Sequence, residues 1–244
     1  MTQSRLHLHH AQDLKPGPLL LINIGLTCLT LGVVFWQHHK MHNQAVLVQL
    51  TTGETLQATP QTPLYRTDDS IQAFVRSTLT AFYTWPGYLP DAAGVPVPDE
   101  GQLIQTDAGE LRLPSRAYVA SYALAEDFQH PFRETLAGMI PSTVYGGGVE
   151  AILLIEQISA PTKVAAGRWQ VDVVATLKIL DTSSNRAEVL PYNRRLTVTA
   201  IDPAVPDATA TPHQQAILGV RQSGLQIEAI VPLTLEDVTD ELQP

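Results

Sequence analysis

The apolar positions of this chain are arranged in three successive ways, and each predicts a different kind of element. From Leu19 to Trp36 they run uninterrupted by any charge. From Asp68 to Met139 they recur at helical spacing, and from about residue 149 they alternate. A helix rises ~1.5 Å per residue, so the first run reaches about 27 Å, close to the ~30 Å thickness of bilayer hydrocarbon. It predicts a transmembrane helix over 18–37. Pro16 and Pro18 suit a helix start, and Trp36 and Lys40 suit the far interface as a belt aromatic and a snorkelling cation. A signal peptide and a buried core helix are the competing readings. A signal peptide has a shorter apolar core and a small-residue cleavage site, whereas this run ends in Phe35-Trp36-Gln37-His38-His39-Lys40. A buried core helix is disfavoured because this run is apolar all round and sits beside no comparable partner helix.

The second regime predicts helices. Ile71, Phe74, Val75, Thr78, Leu79 and Phe82 form one stripe, Asp68-Asp69-Ser70 offers capping oxygens before it, and Pro86-Gly87 ends it near Trp85. Residues 86–114, rich in proline and glycine, read as a long surface loop with a small hairpin around Gly109. Helices are expected from Ser115 to about Asp127 and from Pro131 to Met139, and Gly146-Gly147-Gly148 reads as a flexible joint. The third regime predicts four strands, at 151–159, 168–181, 187–201 and 216–231, the last broken at Ser223-Gly224. A short strand at 45–50 and its turn at Thr51-Thr52-Gly53-Glu54 stand apart.

Helices followed by an antiparallel meander define an α+β fold. The expected architecture is a single N-terminal transmembrane helix, then about three helices packed on a curved antiparallel sheet of about four strands. That is a roll of the cystatin-like or ketosteroid-isomerase-like kind. The chain divides into a cytoplasmic tail (1–17), the span (18–37), a short strand and linker (38–67), the soluble roll (68–233) and an acidic tail (234–244).

Charge sharpens this picture. The formal net charge is −9, and the first 43 residues hold Arg5, Lys15 and Lys40 against Asp13. The local charge there is +2, so the remainder carries −11. Non-specific nucleic-acid binding runs on basic surfaces, so direct binding of nucleic acid is not expected. Lys and Arg near the span favour its N-terminal side, which places the tail in the cytoplasm and the domain outside it. The one cysteine, Cys28, lies inside the apolar run, so the chain can form neither an internal disulfide nor a zinc site built on several cysteines.

Motifs for chemistry are few. His7, His9 and His10 precede the span while His38, His39 and His42 follow it, so the two groups cannot share one ion and read as polar interfacial residues. The triple glycine lacks the Lys-Ser/Thr of a phosphate loop, and neither Gly-x-Ser-x-Gly nor His-Glu-x-x-His occurs. No catalytic residue, cofactor or metal ligand is assigned. The roll admits one enzymatic alternative, a ketosteroid-isomerase-like pocket with Asp172 or Glu228 beside Tyr83, Tyr118 or Tyr122. Alternation sets Asp172 opposite the apolar face of its strand. Arg194-Arg195 stands out in an acidic domain, either paired across strands with Asp172 or Glu188 or available to a partner.

The order of parts resembles the bitopic inner-membrane scaffold subunit of type IV secretion and conjugation systems, the TrbF or VirB-eight type. Three patches carry the likeness: Val46–Gly53 followed by Ile71-Gln72-Ala73-Phe74-Val75-Arg76, the long hairpin from Trp169 to Ile201, and Ala216-Ile217-Leu218-Gly219-Val220-Arg221 leading into a final strand. Family members carry Asn-Pro-x-Gly at the last of these; here Gly219 matches, while Ala216 and Ile217 stand in place of Asn and Pro. The resemblance implies a non-enzymatic scaffold in the bacterial inner membrane with a periplasmic C-terminal domain. Its partners would be the membrane, further copies of itself and other envelope subunits. Arg194, Arg195, Gly219, Val220 and Arg221 are the candidate interaction residues.

Overall fold

A computed structural model describes residues 46–49, 55–58, 62–91, 93–106 and 109–233, together with Gly25, Thr27 and 29–32 of one helix. The chain separates into two compact units, Met1–Thr62 and Pro63–Pro244. In the first, the described helical residues are exposed, Leu29 and Leu31 by about two-thirds of their surface. Most of the span expected over 18–37 lies outside the described residues, as do the six flanking histidines, the turn at 51–54 and the acidic tail. Among the described residues no helix is long and apolar enough to cross a membrane. Strand β1 (Val46–Gln49) pairs antiparallel with β2 (Thr55–Ala58), so residues expected as linker supply a second strand.

The second unit is α+β. Helix α1 (Asp68–Tyr83) carries the expected stripe, and all six of its predicted residues are buried. The cap comes one residue earlier than expected, because the Thr67 hydroxyl accepts from the Ser70 amide. The proline-rich stretch is structured. Strands β3 (Tyr88–Pro90) and β4 (Pro96–Pro98) pair, and β5 (Gln102–Thr106) pairs with β6 (Gly109–Leu113) in the hairpin expected around Gly109. Helix α2 (Ser115–Ala120) tightens into a single 3-10 turn and stops at Leu124, short of the expected Asp127. The stop has a tertiary cause, since the Ala125 amide donates to the Ile227 carbonyl.

Helix α3 (Glu126–Met139) begins five residues before Pro131, where it had been expected to start. Pro131 sits on the exposed side, so its ring and the bond it removes are turned toward water. The triple glycine is not a flexible joint. Gly147 takes φ +69° and donates to the Val144 carbonyl, Gly148 donates to Thr143, and a side chain at Gly147 would strike the Tyr88 ring.

The sheet is larger than four strands. Strand β9 (Arg168–Asp181) is its axis: β7 (Val149–Ile158) and β8 (Thr162–Ala165) share one edge, β10 (Arg186–Pro191) and β11 (Arg194–Ala200) share the other, and β12 (Leu225–Pro232) pairs with β11. The strand expected over 187–201 is broken at Tyr192-Asn193, and β8 is an additional short strand beyond the end of the one expected over 151–159. The Tyr192 break turns that ring inward against Tyr83, with centroids 4.6 Å apart.

The largest departure lies in the segment expected as one strand over 216–231. Its first part is helix α4 (Pro212–Arg221), opened by a capping box in which Thr211 and Gln214 bond reciprocally, with proline at the first helical position. The break at Ser223-Gly224 therefore separates a helix from a strand.

One face of the sheet, bearing Val171, Val173, Leu196, Val198, Leu225 and Ile227, packs under α1 and α3 in one core. Phe82, Phe128 and Phe132 link the helices, and the Trp85 indole donates to the Phe82 carbonyl at 2.6 Å. Each large side chain fully buried there contributes ~1.5–3 kcal/mol of hydrophobic stabilisation.

Candidate functional site

The side of α1 turned away from the sheet carries a second stripe, Ser70, Ala73, Ser77 and Ala81, made of small residues at helical spacing. Small side chains leave a hollow unless a neighbour fills it. Helix α4 lies alongside but does not close on α1, and none of its residues is buried. Between them opens a groove of about 510 Å³, lined by the α1 stripe, Ala120, Gly219, Val220 and Ser223. A second hollow of about 340 Å³ shares Ala81, Ala120 and Val220 with it and runs on to Leu89, Val119 and Ala216. The two form one trough whose walls are predominantly apolar.

Local chemistry holds α4 in its stand-off position at both ends. At its start, the His213 ring stacks on Tyr118 at 6.1 Å, beside the Thr211 capping box. At its end, Arg66 donates five hydrogen bonds to backbone carbonyls, at Pro63, Tyr65, Ile201, Ser223 and Gly224. Gly224 takes φ +64°, and a side chain there would collide with the Arg66 guanidinium.

Helix α2, which lends Ser115, Val119 and Ala120 to the trough, is equally fixed. Asp99, 7% exposed, accepts from the Gly101 amide (2.9 Å), the Ser115 amide (3.0 Å) and the Ser115 hydroxyl (2.6 Å), and so caps α2. Arg133 donates to the Ser121 hydroxyl at 2.6 Å and lies 4.6 Å and 4.7 Å from the ring centres of Tyr118 and Tyr122. Its Nη2 is shielded from solvent without a hydrogen-bond partner among the described residues, so the tyrosine rings supply the attraction. The Tyr122 hydroxyl, 3.2 Å from that of Tyr118, raises the Tyr118 pKa above the ordinary phenol value; burial adds to this and Arg133 opposes it. Burial likewise raises Tyr83 and Tyr192.

The five candidate interaction residues fall in two places. Gly219, Val220 and Arg221 form the last turn of α4, with Gly219 and Val220 on the groove wall. Arg194 and Arg195 begin β11, opposite the far end of β12, where Arg194 faces Pro232 while Ala200 faces Leu225. Those ends are about 23 Å apart at ~3.3 Å per residue, so the two groups form no single site. Arg195 makes the expected cross-strand pair, with Nε and Nη2 each 2.8 Å from the Asp172 carboxylate. Arg194 lies over the Tyr192 ring at 4.5 Å.

Asp172 is engaged by Arg195 and Glu228 by Arg168 at 2.7 Å, both on the face opposite the helices, whereas Tyr83 lies in the core between helix and sheet. Sequence reasoning missed Arg66, Asp99 and Arg133. Asp99-Glu100-Gly101 carried a local turn signal, but hydrogen-bond partners 12 to 158 positions away left no trace in the chain. The sequence matches no protein-family model and no curated protein.

Proposed function

We propose that this chain is a non-enzymatic, membrane-anchored assembly subunit of a type IV secretion or conjugation-like envelope complex. Its domain is a roll held outside the cytoplasm by a single N-terminal span, and it acts through contacts with neighbouring subunits. The observation that carries this reading is the trough between α1 and α4, open along its length and walled by small apolar residues. A floor of alanine, serine and glycine lets another backbone approach closely, which suits a helix of a partner subunit laid into a groove. Gly219 and Val220, marked as interaction residues by resemblance, lie on that wall. The reading also agrees with an acidic domain whose carboxylates Asp172 and Glu228 are tied up in ion pairs.

The test is a photo-activated cross-linker placed at Ala73 or Gly219 in the full chain within native envelopes. The expected product is an adduct with another envelope subunit, lost when Ala81→Arg fills the trough. Recovery of a small lipophilic molecule instead of a protein would favour the alternative of a tethered ligand-binding roll. A reporter fused after Pro244 is expected to be active only outside the cytoplasm, and cytoplasmic activity would overturn the anchor's orientation.

A further inference from the structure

Sheets end in strands whose outer backbone groups lack partners, and proteins ordinarily cover or blunt such edges. Several edges here are treated that way. The β7 edge exchanges hydrogen bonds with Trp85 and donates from the Leu153 amide to the Thr84 hydroxyl, and the β12 edge accepts from the Ala125 amide. The short β8 follows Pro161 and carries Lys163. Strand β10 differs: all six of its residues are exposed, and among the described residues it pairs only with β9.

The direction of its free groups follows from the register. The Tyr192 amide donates to Ala175 across the β9 side, and antiparallel ladders alternate. Residues 188 and 190 therefore bond inward, while Ala187, Val189 and Pro191 turn their backbone groups to the open edge. Proline, which has no N–H, sits at one of those outward positions. The same three residues share a face with Ile152 and Leu154, from which Lys178 and Thr176 of β9 separate them, opposite the buried Leu153. Val189 is 58% exposed and Ile152 49%.

From this the geometry points to β10 as a self-pairing edge, joined antiparallel to β10 of a second copy about a two-fold axis at Val189. In that register Val189 faces its own copy, and each Ala187 faces Pro191 of the partner subunit. Both Val189 amides and both Ala187 amides then find carbonyl acceptors, and one face of the seam is apolar throughout. A two-fold pairing that keeps both sheets facing the same way admits only shifts of two residues between facing positions. An axis at Glu188 would set two carboxylates against each other. An axis at Ala187 would pair only three residues before Asn185, whose φ of +50° ends the strand. An axis at Leu190 would set Ala187 opposite Asn193, beyond the strand's end at Pro191, and leave the Ala187 amide without an acceptor. Charge, turn geometry and strand length thus select one register. This surface shares no residue with the trough and does not depend on it.

The test is light scattering on the detergent-solubilised full chain. Val189→Pro removes an edge-facing N–H that the protein's own ladder does not use. The expected mass is two copies in the parent and in Val189→Thr, falling to one copy in Val189→Pro. A parent of single-copy mass, or a Val189→Pro variant that keeps the two-copy mass, overturns the pairing. Should the proline variant fail to fold, amide exchange in the parent decides. Protection at Ala187 and Val189 that vanishes on dilution supports the seam, and fast exchange at every concentration refutes it. Retention of the two-copy mass in Ala81→Arg, with loss of the cross-link described above, separates this edge from the trough.

Discussion

Gly224→Ala tests the hinge that positions α4. The perturbation acts in two ways. It forces a side chain into a left-handed backbone position, φ +64°, which costs ~1–2 kcal/mol. Reduced freedom of the unfolded chain returns ~0.4–1 kcal/mol of that. The new methyl also occupies the place of the Arg66 guanidinium, with Pro203 and the Ile201 carbonyl at 2.9 Å and 3.0 Å preventing an escape to the other side. Of the five Arg66 bonds, those to Ile201 and Gly224 are the sheltered ones, and displacing a charged donor from such a bond costs ~1.5–3 kcal/mol. The net expectation is a loss of about 3 kcal/mol, or ~6–12 °C in melting temperature for a unit of this size. Urea unfolding followed by tryptophan fluorescence measures it, because Trp85 and Trp169 are both buried in the core. The decisive comparison is with Arg66→Ala. If the methyl acts through the guanidinium, the double variant loses about 2 kcal/mol less than the sum of the singles. A Gly224→Ala variant within 0.5 kcal/mol of the parent, or strict additivity, would sink the argument.

Three further outcomes follow from the same kind of reasoning. Asp99→Ala leaves two amides and a hydroxyl without an acceptor in a buried place and is expected to cost ~2–3 kcal/mol by thermal unfolding; a cost below 0.5 kcal/mol would show that α2 does not need this cap. The bidentate Arg195–Asp172 pair, its side chains 21% and 18% exposed, should give a coupling of ~1–2 kcal/mol in a double-mutant cycle, above the range of open surface pairs, and zero coupling would contradict the geometry. Asp181 accepts from Ser183 and Ser184 in the β9–β10 turn, which lowers its pKa to about 2. Since the folded value lies below the unfolded one, its stabilising effect is complete above the ordinary carboxylate range and is lost as pH falls toward 2. Carboxyl resonances titrated across that window should show a midpoint well below 3.8, and a midpoint near 4 would remove the turn's role.

Helix α1 was legible because its large apolar residues repeat with one period and that face is the one buried, so local pattern and tertiary packing agree. Strand β9 was legible for the same reason, with Trp169, Val171, Val173 and Ala175 all turned to the core. Helix α4 was not. Ala216-Ile217-Leu218-Gly219-Val220 is too short an apolar run to separate helix from strand, and its half-buried face gives neither period clearly. The deciding signal was upstream, in Thr211-Pro212-His213-Gln214, a capping box with proline where a helix starts. The break at Tyr192 had no such local sign beyond Pro191, since it arises from a ring drawn under Tyr83. The trough was the least legible feature. Alanine, serine and glycine are weak markers of periodicity, and a hollow depends on how far two helices stand apart, which Arg66 fixes from 158 positions away.

The two surfaces have different symmetry consequences. An edge that pairs with itself closes at two copies and leaves nothing of that edge exposed, whereas the trough is not complementary to itself and stays open on both. A pair joined at β10 therefore presents two troughs held at a fixed separation. A partner assembly that offers two helices at a matching spacing would bind with an avidity ~10²–10⁴ above one contact, with no residue of the trough altered. It follows that Val189→Pro, which touches nothing in the trough, should weaken capture by such a multivalent partner while leaving the affinity for an isolated helix unchanged. If the variant loses both equally, the edge and the trough are mechanically coupled and the separation argued here fails. If it loses neither, the pairing contributes nothing to assembly.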